Sequence, residues 1–148
     1  MARNFNVNGD CTPTSPPKTA VEIVTTAAIR VRIFELHMGC SAAPAAQAAL
    51  WQLKKHTATG TGPAATPIPY DAQDTPLCSA KVTHSAEPTY VAGQPLWELP
   101  LNQQASVIWQ AQPGREIILP ASATAGAGIR MLTSTGTATH QAALHWEE

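Results

Sequence analysis

The sequence predicts an all-β domain built as an antiparallel β-sandwich, on three observations. Short segments rich in β-branched residues alternate between apolar and polar with period two, the pattern of half-buried strands. Thirteen prolines and nine glycines cut the chain of 148 residues into about eight or nine such segments. Finally, no strand–helix alternation of the kind a parallel sheet requires is present. Jelly-roll connections are among the topologies that this many strands allow.

Residues 1–18 read as an extended N-terminal arm. Asn, Gly, Thr and Pro dominate it, and it ends in Ser15-Pro16-Pro17-Lys18; Pro-rich segments favour extended conformations without internal hydrogen bonds. The sandwich domain is expected over residues 19–148. Val21 to Thr25 is a β-branched run, and Ala28 to Met38 alternates. Ile29, Val31 and Ile33 share one face, after which Phe34, Leu36 and Met38 make the other face apolar. Such a switch is what a β-bulge produces. Gly39 ends the segment. A loop to about Gln47 and a strand to His56 follow, and Thr57 to Gly62 reads as a hairpin exit.

Pro63, Pro67, Pro69 and Pro76 mark a long irregular connection, because proline lacks the donor that a central strand needs. Ser79 to His84 reads as a strand with Ala80, Val82 and His84 on one face. Further strands are expected over Pro95 to Leu101, Ala105 to Gln110, Glu116 to Pro120, Gly128 to Leu132 and Ala142 to Glu147. Turn signals at Glu87-Pro88, Ala92-Gly93, Gln112-Pro113-Gly114 and Ala125-Gly126-Ala127-Gly128 separate them.

Composition narrows the function classes. Charged residues are 13% of the chain, about half the usual share, which suits a surface covered by neighbours better than a free cytosolic enzyme. Nine Lys and Arg residues are scattered, with only Lys54 and Lys55 adjacent, and the net charge is −1. Nucleic-acid binding draws its affinity from clustered cations, so no nucleic-acid partner is expected. No apolar run approaches the roughly 20 residues of a membrane span, and the polar N-terminus lacks the apolar segment of a signal peptide, so synthesis and use without Sec export are expected.

The inventory of chemistry is sparse. The three cysteines, Cys11, Cys40 and Cys78, include no C-x-x-C pair; free buried thiols are expected, with a Cys40–Cys78 bridge as the alternative. His37 and Cys40 in H-M-G-C offer two metal ligands, short of a site, and read as strand or turn filler. His145 lies between Leu144 and Trp146, so alternation turns it toward the surface. Asp71 and Asp74 could give calcium two oxygens where about six to eight are needed. No G-x-S-x-G elbow and no phosphate loop occurs. No catalytic, cofactor-binding or metal residue is therefore assigned. Trp51, Trp97, Trp109 and Trp146 all lie in alternating segments, where an indole is a core filler before it is a sugar platform.

Several stretches carry a resemblance. They are V-E-I-V-T-T-A-A-I-R-V-R-I-F-E-L from Val21, T-P-I-P-Y-D-A-Q-D-T-P from Thr66, and H-S-A-E-P-T-Y from His84. P-L-N-Q-Q-A-S-V-I-W from Pro100, P-G-R-E-I-I-L-P from Pro113, G-I-R from Gly128 and L-H-W-E-E from Leu144 complete the order. This order resembles small proteins encoded in tailed-bacteriophage structural gene regions, similar to capsid decoration or cement proteins. It covers nearly everything after Thr19; the arm and the three cysteines lie outside it. The resemblance implies a non-enzymatic β-sandwich on the capsid surface, made in the host cytoplasm. Its expected partners are the major capsid protein and neighbouring copies in a homo-oligomer; the Pro-rich arm, which the resemblance does not cover, is expected to grip a neighbouring subunit. A glycan-binding accessory protein of the head or tail is the alternative, which needs Trp97 or Trp51 exposed. A hydrolase using Asp71, Asp74 or Glu98 is the third reading.

Overall fold

A computed structural model describes residues 2–12, 17–133 and 138–148. Among them thirteen strands form two antiparallel sheets, and no helix long and apolar enough to cross a membrane occurs. The long strands are β1 (Asn4–Cys11), β2 (Lys18–Val24), β3 (Val31–Ala42), β4 (Ala48–Ala58), β12 (Gly126–Thr133) and β13 (Thr139–Glu147). Shorter ones lie between: β5 (Ala64–Ala65), β6 (Ile68–Pro69), β7 (Ser79–Val82), β8 (Thr89–Tyr90), β9 (Trp97–Asn102), β10 (Val107–Gln110) and β11 (Ile117–Leu119). The first sheet runs β10-β3-β13-β1-β6, with β11 extending the β10 edge along β3. The second runs β5-β7-β2-β12-β4-β8, with β9 also on β4. The chain thus changes sheet at each of its first four strands and again between its last two.

The core fills the space between the sheets. Phe5, Val7, Leu36, Leu144 and Trp146 enter from the first sheet; Val21, Ile23, Trp51, Leu53, Ile129 and Met131 enter from the second. Trp97 and Trp109 are half-buried against this core, so all four indoles pack as filler.

The expected arm is corrected. Asn4–Cys11 is an inner strand, paired residue for residue with β13 from Asn4↔Glu147 to Cys11↔His140, and flanked by β6 on its other side. Its burial alternates strictly, with Phe5, Val7, Gly9 and Cys11 inward and the Asn and Asp residues outward. Low strand propensity of Asn, Asp and Gly hid a period that was present. The sandwich therefore includes Asn4–Cys11, while residues 1 and 13–16 of the expected arm lie outside the described residues.

The expected bulge is found in β3. Glu35 faces His145 while Ile33 faces Trp146, so Phe34 is the extra residue that carries the apolar face from Ile33 to Leu36. The Gln112-Pro113-Gly114 turn also holds: Arg115 N–H donates to Gln112 at 2.8 Å and Gly114 takes φ 78°, the conformation a type II turn demands at that position. Two expectations fail locally. Gly126-Ala127-Gly128 is strand rather than turn. His84 leaves the face of Ala80 because the strand ends at Val82 and Thr83 adopts φ 50°, a left-handed twist that aims the next side chain at the outside of the sheet.

Candidate functional site

The two outer faces of the sandwich differ in kind. On the second sheet, Thr19 and Glu22 of β2, Gln52 and His56 of β4, and Arg130 of β12 project outward, which would leave a wet polar face. Gly60, His84, Glu87 and Tyr90, from the segments that follow β4 and β7, fold over it. Glu22 accepts from His84 Nε2 at 2.7 Å and from His56 Nε2 at 3.1 Å, and Gly60 N–H lies 3.3 Å from its carboxylate. All three side chains are fully removed from solvent. A buried carboxylate persists only when donors surround it, and here they do. With Nε2–H given to Glu22, each ring presents a bare Nδ1, and neither Nδ1 has a partner among the described residues. Burial holds His56 below the ordinary imidazole value, opposed by the Glu22 charge.

Beside this group, Glu87 accepts from the Thr19 amide at 2.8 Å and its hydroxyl at 2.6 Å. The Thr19 and Tyr90 hydroxyls meet at 2.6 Å, and the Arg130 guanidinium lies 4.4 Å over the Tyr90 ring. Arg130 donates to Gln52, and Gln52 to Glu98. The close approach explains the strand glycines: a Cβ at Gly128 would sit 2.4 Å from the Tyr90 hydroxyl, and one at Gly126 1.9 Å from the Ile23 carbonyl. Apart from the two bare Nδ1 atoms, the side chains of this layer are tied together by hydrogen bonds, which suits a clamp holding loop to sheet.

The first sheet's outer face is open. Glu35 and His37, two apart on β3, share that face, and His145 of β13 stands directly opposite Glu35. His37 Nε2 contacts Glu35 Oε1, and His145 Nε2 is 4.0 Å from the same oxygen. The two imidazole rings lie 4.6 Å apart. Gln110 of β10 donates its amide to the second Glu35 oxygen, and the Tyr70 hydroxyl meets His145 Nδ1. The bond from Gln110, then that from His37, holds the Glu35 carboxyl below its ordinary range despite opposing burial. Burial, with His37 adding to it, pushes His145 down. A groove of about 450 Å³ begins at His37 and runs between Asn8, Gln141, Ala143, Ser106 and Ile108.

The residues singled out from sequence are dispersed. Cys40 does not join His37; its thiol meets the Ala42 and Thr139 carbonyls, each at 3.2 Å. All three cysteines are free, so no Cys40–Cys78 bridge forms. Asp71 closes a loop turn by accepting from the Gln73 and Asp74 amides. Exposed Glu98 serves Gln52. Trp51 is 1% exposed and cannot stack on a sugar. His145 does face outward, as alternation requires, but Tyr70 and His37 half-cover it. Both histidine–carboxylate groups went unassigned in the sequence. Glu35-x-His37 is a legible same-face pair, whereas the register that adds His145, and the loops that bring His84 to Glu22, are not. The chain matches no protein-family model, no curated protein and no solved structure. Fold and site together define a β-sandwich with one sealed polar face and one open face bearing imidazole and carboxylate.

Proposed function

We propose that this chain is a tailed-bacteriophage virion structural protein, a head decoration or cement protein that bridges capsid subunits as a homo-oligomer. The observation that carries the reading is the pairing order. Strands β1-β13-β3-β10 face β2-β12-β4-β9, the nested order of a jelly roll, an architecture shared by viral capsid and lectin domains. Fold alone does not give function; the ordered resemblance of segments from Val21 to Glu148 supplies the rest. Since Asn4–Cys11 is locked into a sheet, attachment moves from an arm to a face. The open face of the first sheet carries Ile108, Ile68, Tyr70 and Ile118, exposed by 61%, 57%, 55% and 44%. Exposed apolar side chains spread over one sheet face suit a partner-covered surface.

The test is a reconstruction of the purified virion together with binding of the purified chain to particles lacking it. The expected result is density on the head, and occupancy cut at least tenfold by Ile108→Glu with Ile118→Glu. A chain missing from virions by mass spectrometry would defeat the reading. A second reading, a glycan-binding accessory protein, is favoured by the groove beside His37, whose walls offer the amides and hydroxyl of Asn8, Gln104, Gln141 and Ser106. Binding on a glycan array that Gln141→Ala removes would support it.

A further inference from the structure

We infer that Glu35, His37 and His145 form a binding site for a zinc-type divalent transition-metal ion on the open face of the first sheet, with a coordination position left for water. The ligand set comes first. Two imidazoles and one carboxylate are nitrogen and oxygen donors of the type such ions take with three protein ligands and an open position. The ligand atoms Glu35 Oε1, His37 Nε2 and His145 Nε2 belong to side chains whose donors all lie within 4.8 Å of one another. A tetrahedral ion with bonds of about 2.0–2.1 Å holds its ligand atoms about 3.3 Å apart. Small side-chain rotations close that difference. The ion would take the place of the hydrogen bond that now joins His37 to Glu35.

The support around these ligands is a second, independent observation. Metal-bound histidines keep their other ring nitrogen in a hydrogen bond, which fixes the tautomer. Here the Tyr70 hydroxyl meets His145 Nδ1, a contact that lets Nδ1–H donate to the tyrosine oxygen and leaves Nε2, beside Glu35, to take an ion. Gln110 holds the far carboxylate oxygen and turns Oε1 toward the imidazoles. The backbones are rigid as well, for β3 and β13 are central neighbours paired from Thr139↔Ala42 to Glu147↔Arg32. The three ligands are thus set by register before any ion arrives, which lowers the ordering cost of binding.

The experiment uses the full chain stripped with a chelator and dialysed. Titration with ZnCl2 by calorimetry should give one equivalent per chain and raise the melting temperature. CoCl2 should give the visible bands of nitrogen and oxygen coordination. His37→Ala and His145→Ala should each weaken zinc at least tenfold, and Tyr70→Phe by about 10–100-fold as a lost supporting contact. Cys40→Ser should leave affinity unchanged. Because these side chains lie on the outer face, circular dichroism without metal should match the parent; if one variant misfolds, the cobalt spectrum of the parent chain still decides. No zinc binding, undiminished binding by the His37→Ala/His145→Ala double variant, or a thiolate charge-transfer band in the cobalt spectrum overturns the site.

Discussion

His84 Nε2 lies 2.7 Å from Glu22 Oε2 with both side chains wholly buried, and this bond fastens the loop after β7 to the outside of the second sheet. Glu22 is the only acceptor shown for the His84 Nε2–H and the Gly60 amide among the described residues, and the main one for His56. Glu22→Ala should therefore cost about 1–3 kcal/mol for each buried donor it leaves without a partner. Urea denaturation measures it, and a cost below about 1 kcal/mol would show that the clamp is ornamental.

Gly126→Ala should destabilise by about 3 kcal/mol, at the upper end for overpacking. The added carbon meets the Ile23 carbonyl of the neighbouring strand, which cannot swing aside without opening the β2–β12 ladder. Gly93→Ala, with nothing within 4 Å and only a φ of 93° to strain, is the control and should cost about 1 kcal/mol. Equal losses would refute the steric account.

Stability should fall on mild acidification. Burial depresses both His56 and His140 below the ordinary value of 6.5. The unfolded chain therefore binds protons that the folded chain refuses. Stability is full above about pH 6.5 and is lost as pH drops from there through the folded values. Urea midpoints should be flat between about pH 7 and 8 and decline below about pH 6.5. His56→Gln should reduce the slope. A midpoint that rises on acidification reverses the sign and removes the argument.

One thiol per native chain should react with an aromatic disulfide reagent, and all three after unfolding. Burial pushes the Cys11 and Cys78 thiols up to about 12, leaving almost no thiolate at neutral pH. Cys40 is half-exposed. Rapid native labelling of Cys11 would mean that β1 opens easily.

Phe5→Ala should cost about 3–5 kcal/mol, the range for emptying an aromatic site in a core. Phe5 is wholly buried and its ring lies 5.9 Å from that of Trp146. A near-neutral result would return Asn4–Cys11 to the status of a dispensable arm.

How much of this was legible depends on the range of the signal. The sandwich, the positions of most strands and the bulge at Phe34 follow from local alternation and turn chemistry, which neighbouring residues encode. Strand β1 obeyed the same alternation, but Asn, Gly and Asp on its exposed side suggested an arm. The candidate site was less accessible. Glu35 and His37 announce a shared face by spacing alone, yet His145 joins them only through a pairing 110 residues distant in sequence, and Tyr70 through a Pro-rich loop. The Glu22 group is harder still, because the Thr83 backbone twist, not any periodicity, delivers His84.

The ladder between Asn4–Cys11 and Thr139–Glu147 has a consequence for synthesis. Strand β1 leaves the ribosome long before its principal mate β13, so the first sheet stays open until Thr139–Glu147 has been made. Until then Phe5 and Val7 are uncovered and the flanking ladder edges unmet, a window in which chaperone capture or self-association competes with folding. Recovery of folded material should accordingly depend more on expression temperature and concentration than on the stability of the finished fold.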